Sequence, residues 1–297
     1  VNRTFNNENH HWVFFEPHKA YKGQDFFFPP KSGNKIKFNL KKLPLETNNP
    51  KKELKDAVIR FLVNVSYLNL FVNEQPKNYI MLVHTNVRKL VHNVDREVVD
   101  EVMSDLTTPN IEDKERGVIN NIRYEKILEM VYDQALKKTK DDNKADKITD
   151  YVANYSSQSL VGVLNSDPIN KDNLTELLTE KPTNPFTFSI GGNIISRGIT
   201  FNNLLSMFFT RNVKGSMQQD TYIQRARMFG NRSDNDMNHF ELTIPSDLYD
   251  NWHTCFLLHR ISYLSAKSDM HPSWATGLGI KAVAPSSIDK SQVNVEK

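Results

Sequence analysis

The chain of 297 residues has a single cysteine, Cys255. One thiol closes no intramolecular disulfide and builds no thiolate zinc cluster, so a disulfide-stapled secreted scaffold is excluded and a reducing, cytoplasmic setting is expected. Long apolar runs are missing as well. None approaches the roughly 20 residues that span a bilayer, and the opening VNRTFNNENHHW has no apolar signal-peptide core. A membrane role is not expected. Glycine is sparse, at 11 residues, and forms neither GxGxxG nor GxxxxGKS/T; KSGNK at residues 31 to 35 supplies neither pattern. An acidic DExx run after an apolar strand is also lacking. Asp234, Asp236 and His239 follow a glycine and read as a polar loop, and the pairs His10/His11 and His253/His259 are no better placed, so no metal site is expected. The net charge of +3 permits a polyanionic partner without requiring one.

What is present is a folded, mixed composition, 38% hydrophobic and 25% charged, enough to bury a large core. Residues 1–50 alternate short apolar bursts (WVFF, DFFFPP, KIKFNL) with turn residues and read as a leading segment of short strands and loops. From Glu53 to Phe71, Leu54, Val58, Phe61, Leu62, Val65 and Leu68 recur at helical spacing. Tyr79 to Val83 (YIMLV) reads as a strand buried on both faces, with functional groups at its carboxyl end. Residues 94 to about 158 read as a helical insertion, broken at TTPN and KKTKDDNKADK, whose charges form a solvated face.

Further strands are expected at Leu160–Leu164, Phe186–Ile190, Leu204–Phe209 and His239–Ile244, and a helix from Leu248 to about Leu264. Strands alternating with helices predict an α/β fold with a mainly parallel sheet. The expected division is a leading segment to residue 50, a main domain over 51–250 that contains the helical insertion, and a C-terminal extension over 251–297.

The densest motif is FSIGGNIISRGITF, residues 188–201. A Gly-Gly turn at the carboxyl end of a parallel strand sits where α/β sheets bind ligands, and the absent Cβ lets backbone approach a ligand closely. A second segment, SMQQDTYIQRARMFGNR from Ser216 to Arg232, reads as a helix with a Ser216/Gln219 capping box and a stop at Gly230. Gln224 and Arg227 project from one side of it, with Arg225 and Arg232 nearby. Guanidinium groups so gathered suit phosphate.

In order and spacing, SRGIT followed by YIQRARMFGNR resembles the fifth and sixth motifs of superfamily-two helicases. With MLVHT, GGN..SRG.T, F.TRN.K and DT..Q..R.FG.R, the chain resembles the Z1 (Z-one) domain family of helicase-like proteins linked to restriction and phage-defence systems. The resemblance implies a three-layer, RecA-like C-terminal lobe. It implies nucleotide contacts at Gly191, Gly192, Asn193, Arg197 and Gly198, and catalytic roles for Gln224, Arg227 and Arg232. DNA-backbone contacts would come from His84, Thr85, Arg88, Ser196, Thr200 and Arg211.

Ala226 stands where the helicase pattern has Gly before the first finger arginine, so the choice between Arg227 and Arg232 stays open. ATP and Mg²⁺ are expected only together with a first RecA-like lobe, which is expected upstream because the chain lacks a Walker lysine and opens on Val within a polar run. DNA, that lobe, and nuclease or methyltransferase subunits are the implied partners. Two other readings remain, an endonuclease and a non-catalytic interaction module.

Overall fold

The computed structural model describes residues 15–30, 35–44, 49–84, 89–107, 114–164, 172–192, 199–209, 217–218, 226–268, 270 and 280–281. The chain divides into two compact units, a larger one of Lys37–Arg211 with Arg232–Pro245 and a smaller one of Val1–Ile36, Asn212–Asn231 and Ser246–Lys297. In chain order the described elements are β1 (Tyr21–Lys22), α1 (Gln24–Phe27), β2 (Asn39–Leu43), α2 (Pro50–Phe71), β3 (Tyr79–His84), α3 (Lys89–Asp105), α4 (Lys114–Thr139) and α5 (Asp142–Tyr155). There follow β4 (Leu160–Leu164), α6 (Asp172–Thr179), β5 (Phe186–Gly191), β6 (Leu204–Phe209), β7 (Met217–Gln218), β8 (Gly230–Asn231), α7 (Asp234–His239), β9 (Glu241–Pro245), α8 (Ser246–Lys267) and β10 (Ile280–Lys281).

The larger unit is built on a six-stranded sheet in the order β2-β9-β6-β3-β5-β4, every neighbouring pair of which is parallel. Every residue of β3, β5 and β6 is buried, which explains their continuous apolar runs: a strand covered on both faces has no solvent side to mark with polar residues. Tyr79, Met81, Val83, Phe186, Phe188 and Ile190 share one face and pack into a single core with α2, α3, α4 and α5. Gly162 and Ser189, paired in register, lie on the other face, and there α6 packs: Ser189 Oγ donates a short hydrogen bond to the Leu178 carbonyl. The result is a three-layer α/β fold.

Helix α2 starts where the sequence gives it a cap. The Asn49 side chain accepts from the Lys52 amide at 3.1 Å and Pro50 occupies the first turn. Its buried residues Leu54, Val58, Phe61, Leu62, Val65 and Leu68 form the face that meets the sheet. At the far end the amides of Val72 and Asn73 both return to the Leu68 carbonyl. The helices expected as an insertion are α3 to α5, and they are structural cover: Val99, Val102, Val131, Ala135, Ile148 and Val152 belong to the same core as the central strands.

In the smaller unit β1 pairs antiparallel with β8, and β7 pairs parallel with β10. Helix α8 buries Leu248, Tyr249, Trp252, Cys255 and Phe256. Phe28 stacks on Phe256 with ring centroids 4.7 Å apart, and the Tyr249 hydroxyl donates to the Phe27 carbonyl at 3.0 Å. Arg260 clamps α1 through Asp25, at 2.6 Å, and the Phe28 carbonyl, at 2.7 Å. The thiol of Cys255 is fully buried, as suits a packing residue.

Two expectations require correction. The leading segment is not only strands and loops: within DFFFPP, residues 24–27 form helix α1, and NLKKL joins the main sheet as edge strand β2 beside β9. The helix expected from Ser216 to its stop at Gly230 is absent where the segment is described: Met217–Gln218 is a strand, and residues 226–229 form a turn ahead of Gly230–Asn231, which pairs with Tyr21–Lys22. There, strand partners distant in sequence outweigh local helical spacing. Residues 219–225 lie outside the described residues.

Candidate functional site

In a parallel sheet all carboxyl ends lie on one edge, and ligands bind where the chain leaves adjacent strands toward opposite faces. Register brings Leu164, Gly191, His84 and Phe209 into one row along that edge, from β4 through β5 and β3 to β6. Strand β3 hands the chain to α3, which packs on the face of Phe186 and Phe188. Strand β4 hands it to α6, on the face of Gly162 and Ser189. Strand β5 ends between these two departures, at Gly191 and Gly192. The glycine pair of the sequence motif therefore sits at the carboxyl edge of the sheet, between two connections that leave on opposite faces.

Side chains near the glycine pair are held firmly. Gly162 leaves the space that the Leu178 side chain fills; a Cβ there would fall 2.8 Å from Leu178 Cδ2. That close approach fixes α6 against β4 and β5. Gly191 and Gly192 are buried. His84 is buried too, 4% exposed, with its ring centroid 5.0 Å from that of Phe209 and the planes tilted by 32°. Chemically, this edge offers backbone without intervening side chains at the crevice, beside an aromatic pair, which suits an anionic or planar ligand group.

Other residues singled out in the sequence fall elsewhere. Arg232 lies at the opposite, amino edge, where its Nη1 donates to the Leu204 carbonyl at 2.8 Å and its guanidinium stands 5.9 Å from the Phe240 ring centroid. Burial lowers its pKa to about 10, a shift that the Asp236 carboxylate opposes. Asp236 also accepts from the Tyr79 hydroxyl at 3.0 Å, and burial holds that phenol protonated well above its ordinary range. Thr200 is exposed; two residues on, the Asn202 amide donates to Thr179 O and the Asn203 side chain to Asn78 O, both landmarks of the amino edge. Chain reach keeps Thr200 within about 7 Å of Asn202.

Arg227 belongs to the smaller unit, between the buried Ala226 and Met228; it is partly buried, and desolvation lowers its pKa. Thr85, Arg88, Asn193, Ser196, Arg197, Gly198, Arg211 and Gln224 lie outside the described residues.

The structure also gathers polar groups that sequence reading did not connect. Glu241, 3% exposed, receives the Arg60 Nε at 2.9 Å on both carboxylate oxygens and Nη2 at 2.9 Å on Oε1. The Lys138 ammonium lies 3.0 Å from His239 Nδ1 and 4.7 Å from the Tyr67 ring centroid. Burial lowers Lys138 to about 8 and, with help from the Lys138 charge, His239 to about 4. These partners lie some 70 to 180 residues apart, so no local pattern announces them.

Among the described residues no group of three or more His, Cys, Asp or Glu side chains could hold a metal ion, and no described helix is long and apolar enough to cross a membrane. A family model for the Z1 domain matches residues 53–258, more than two thirds of the chain. That span runs from the first turn of α2 into α8. No curated protein and no solved structure matches.

Proposed function

We propose that this chain, a member of the Z1 domain family, is the C-terminal lobe of a helicase-like, DNA-directed ATPase of a restriction or defence system. The observation that carries this reading is the position of Gly191–Gly192 at the carboxyl edge of a fully parallel sheet, between connections that leave on opposite faces. Such a crevice is where α/β lobes receive phosphate groups, and the glycine pair fits a phosphate because no Cβ separates backbone from ligand.

In this reading the first RecA-like lobe contributes the P-loop and the carboxylate that holds Mg²⁺. Bound ATP supplies the free energy of phosphoryl transfer. The residues of this chain bind and orient: the glycine turn admits phosphate oxygens, and a positioned arginine neutralises developing charge. Arg227 is the candidate for that role. Arg232 does not fit it, because its guanidinium already serves the Leu204 carbonyl at the amino edge. His84 fits a packing role under the crevice better than a direct DNA contact, given its burial against Phe209.

The test uses the protein with and without the first lobe. Residues 1–297 alone should bind fluorescently labelled DNA, more weakly as salt rises, and leave ATP intact. With the first lobe joined, ATP turnover should appear, and Arg227→Ala should lower it by about three to five orders of magnitude. ATP hydrolysis by residues 1–297 alone would overturn the two-lobe reading. Metal-dependent DNA cleavage without ATP would replace it with a nuclease.

A further inference from the structure

Positive charge is not spread evenly along this chain. Residues 37–52 carry Lys37, Lys41, Lys42, Lys51 and Lys52 against one acid, Glu46. Their net charge is +4, while the whole chain has +3, which leaves −1 for everything else. All five lysines are exposed.

The fold brings β2 and the start of α2 together at one corner of the larger unit. Lys41 and Lys42 are on β2, the edge strand, where Lys41 stands opposite Thr243 of β9. Thr243 and Glu241 point to the same face, the one covered by α2, because Arg60 of α2 grips Glu241. Lys41 therefore shares its face with α2. Arg60 also sets the height of that helix: Glu241 is level with Asn39 at the start of β2. From Arg60 back to Lys52 is about 12 Å along a helix, and from Asn39 forward to Leu43 is about 13 Å along a strand. Lys51 and Lys52 thus reach the carboxyl edge of the sheet, level with the end of β2. There they add to the positive end of the α2 dipole. Four strand spacings, about 19 Å, separate this corner from Gly191 along the same edge.

We infer that the β2–α2 corner, with Lys41, Lys42, Lys51 and Lys52, is a docking track for the phosphate backbone of DNA. The inference rests on the DNA-directed reading above and assigns the contact to residues that the helicase-like motifs do not include. Lysines on a flexible stem, free of a fixed fork geometry, suit sequence-independent contact to successive phosphates. The rival explanation is that the lysines only keep an edge strand from pairing with another chain.

Charge reversal separates the two. Lys41→Glu, Lys51→Glu and Lys52→Glu are combined in the 297-residue chain, and duplex DNA binding is followed by fluorescence anisotropy across a salt series. The control combines Lys126→Glu, Lys137→Glu and Lys147→Glu, exposed positions on α4 and α5. Glutamate in the first turn of α2 is compatible with the helix dipole, and thermal unfolding by circular dichroism checks that the fold survives. The slope of log affinity against log salt should fall by about 0.9 for each phosphate contact removed in the corner variant and stay unchanged in the control.

If the native chain binds duplex at all but the corner variant keeps its affinity and slope, the track is wrong and the lysines guard the edge. If the native chain binds no DNA, the DNA-directed reading fails with it. Binding to phosphatidylserine vesicles, lost in the corner variant while DNA binding persists, would assign the corner to a lipid surface and overturn the proposal.

Discussion

Arg232 Nη1 and the carbonyl oxygen of Leu204 are 2.8 Å apart at the amino end of β6, one strand length away from Phe209 and the crevice. An arginine that the motif pattern offers as a finger is thereby a staple between the segment entering α7 and the base of the sheet. Asp236 on α7 adds a charge partner and ties the same region to Tyr79.

Arg232→Ala should accordingly lower stability by about 2–3 kcal/mol, the cost of a charge-assisted hydrogen bond and a buried carbonyl left unpaired. Arg232→Lys should recover part of the loss, since an ammonium can still donate to Leu204 O. Urea unfolding midpoints measure both. A finger arginine would give the opposite pattern, with unchanged midpoints and lost ATP turnover in the two-lobe protein.

The Arg60–Glu241 pair joins α2 to β9 within the core layer, with side chains only 13% and 4% exposed. Arg60→Ala strands a buried carboxylate and should cost about 3–5 kcal/mol. Replacing both partners, Arg60→Met with Glu241→Leu, should recover most of that loss, because neither charge then needs a partner. Denaturant titrations of the single and double variants check the non-additivity.

Much of the larger unit could be read from the sequence because its signals are local. YIMLV, FTFSI and LLSMFF have the continuous apolar character that only doubly covered strands carry, and all three lie where expected. Helix α2 declares itself by the spacing of its apolar residues, while its capped start at Asn49–Pro50 is three to four residues ahead of the expected Glu53. The glycine pair could be placed at a strand end, but its position between two oppositely directed connections is a property of strand order, and strand order is set by long-range pairing. For the same reason the place of β2 in the main sheet was hidden: NLKKL is a polar, edge-strand sequence whose partner β9 lies about 200 residues away. The segment from Met217 to Asn231 misled for the converse reason. Its apolar spacing is helical, yet its described ends are satisfied by strand partners in β10 and β1.

Gly162 offers a test of how tightly the crevice depends on α6. A methyl at this position would press into the Leu178 side chain, and overpacking of this kind costs about 1–3 kcal/mol. Gly162→Ala should therefore destabilise the protein and lower ATP turnover of the two-lobe protein together, since β4 and α6 flank the Gly191 turn. Adding Leu178→Val, which makes room, should restore part of both. Recovery of stability without recovery of turnover would show that the glycine turn does not depend on the seating of α6.

The pH dependence of stability follows from His239. Burial and the neighbouring Lys138 ammonium hold its folded-state pKa near 4, with Asp236 opposing; Tyr67 and Asn64 of α2 also face it. The unfolded imidazole titrates near 6.5. Between those values the unfolded chain binds a proton that the folded chain refuses, so stability falls as pH drops from about 6.5 toward 4. Lys138 acts in a higher window. Its folded pKa near 8 lies below its ordinary value of 10.5, so stability from this group rises with pH between the two. His239→Asn should flatten the acid limb of a urea-stability profile relative to the native chain, and Lys138→Met should raise the His239 pKa and narrow the same limb. Equal acid slopes in all three proteins would show that His239 takes up its proton in the fold as readily as in water, and that the Lys138 contact exerts no hold on it.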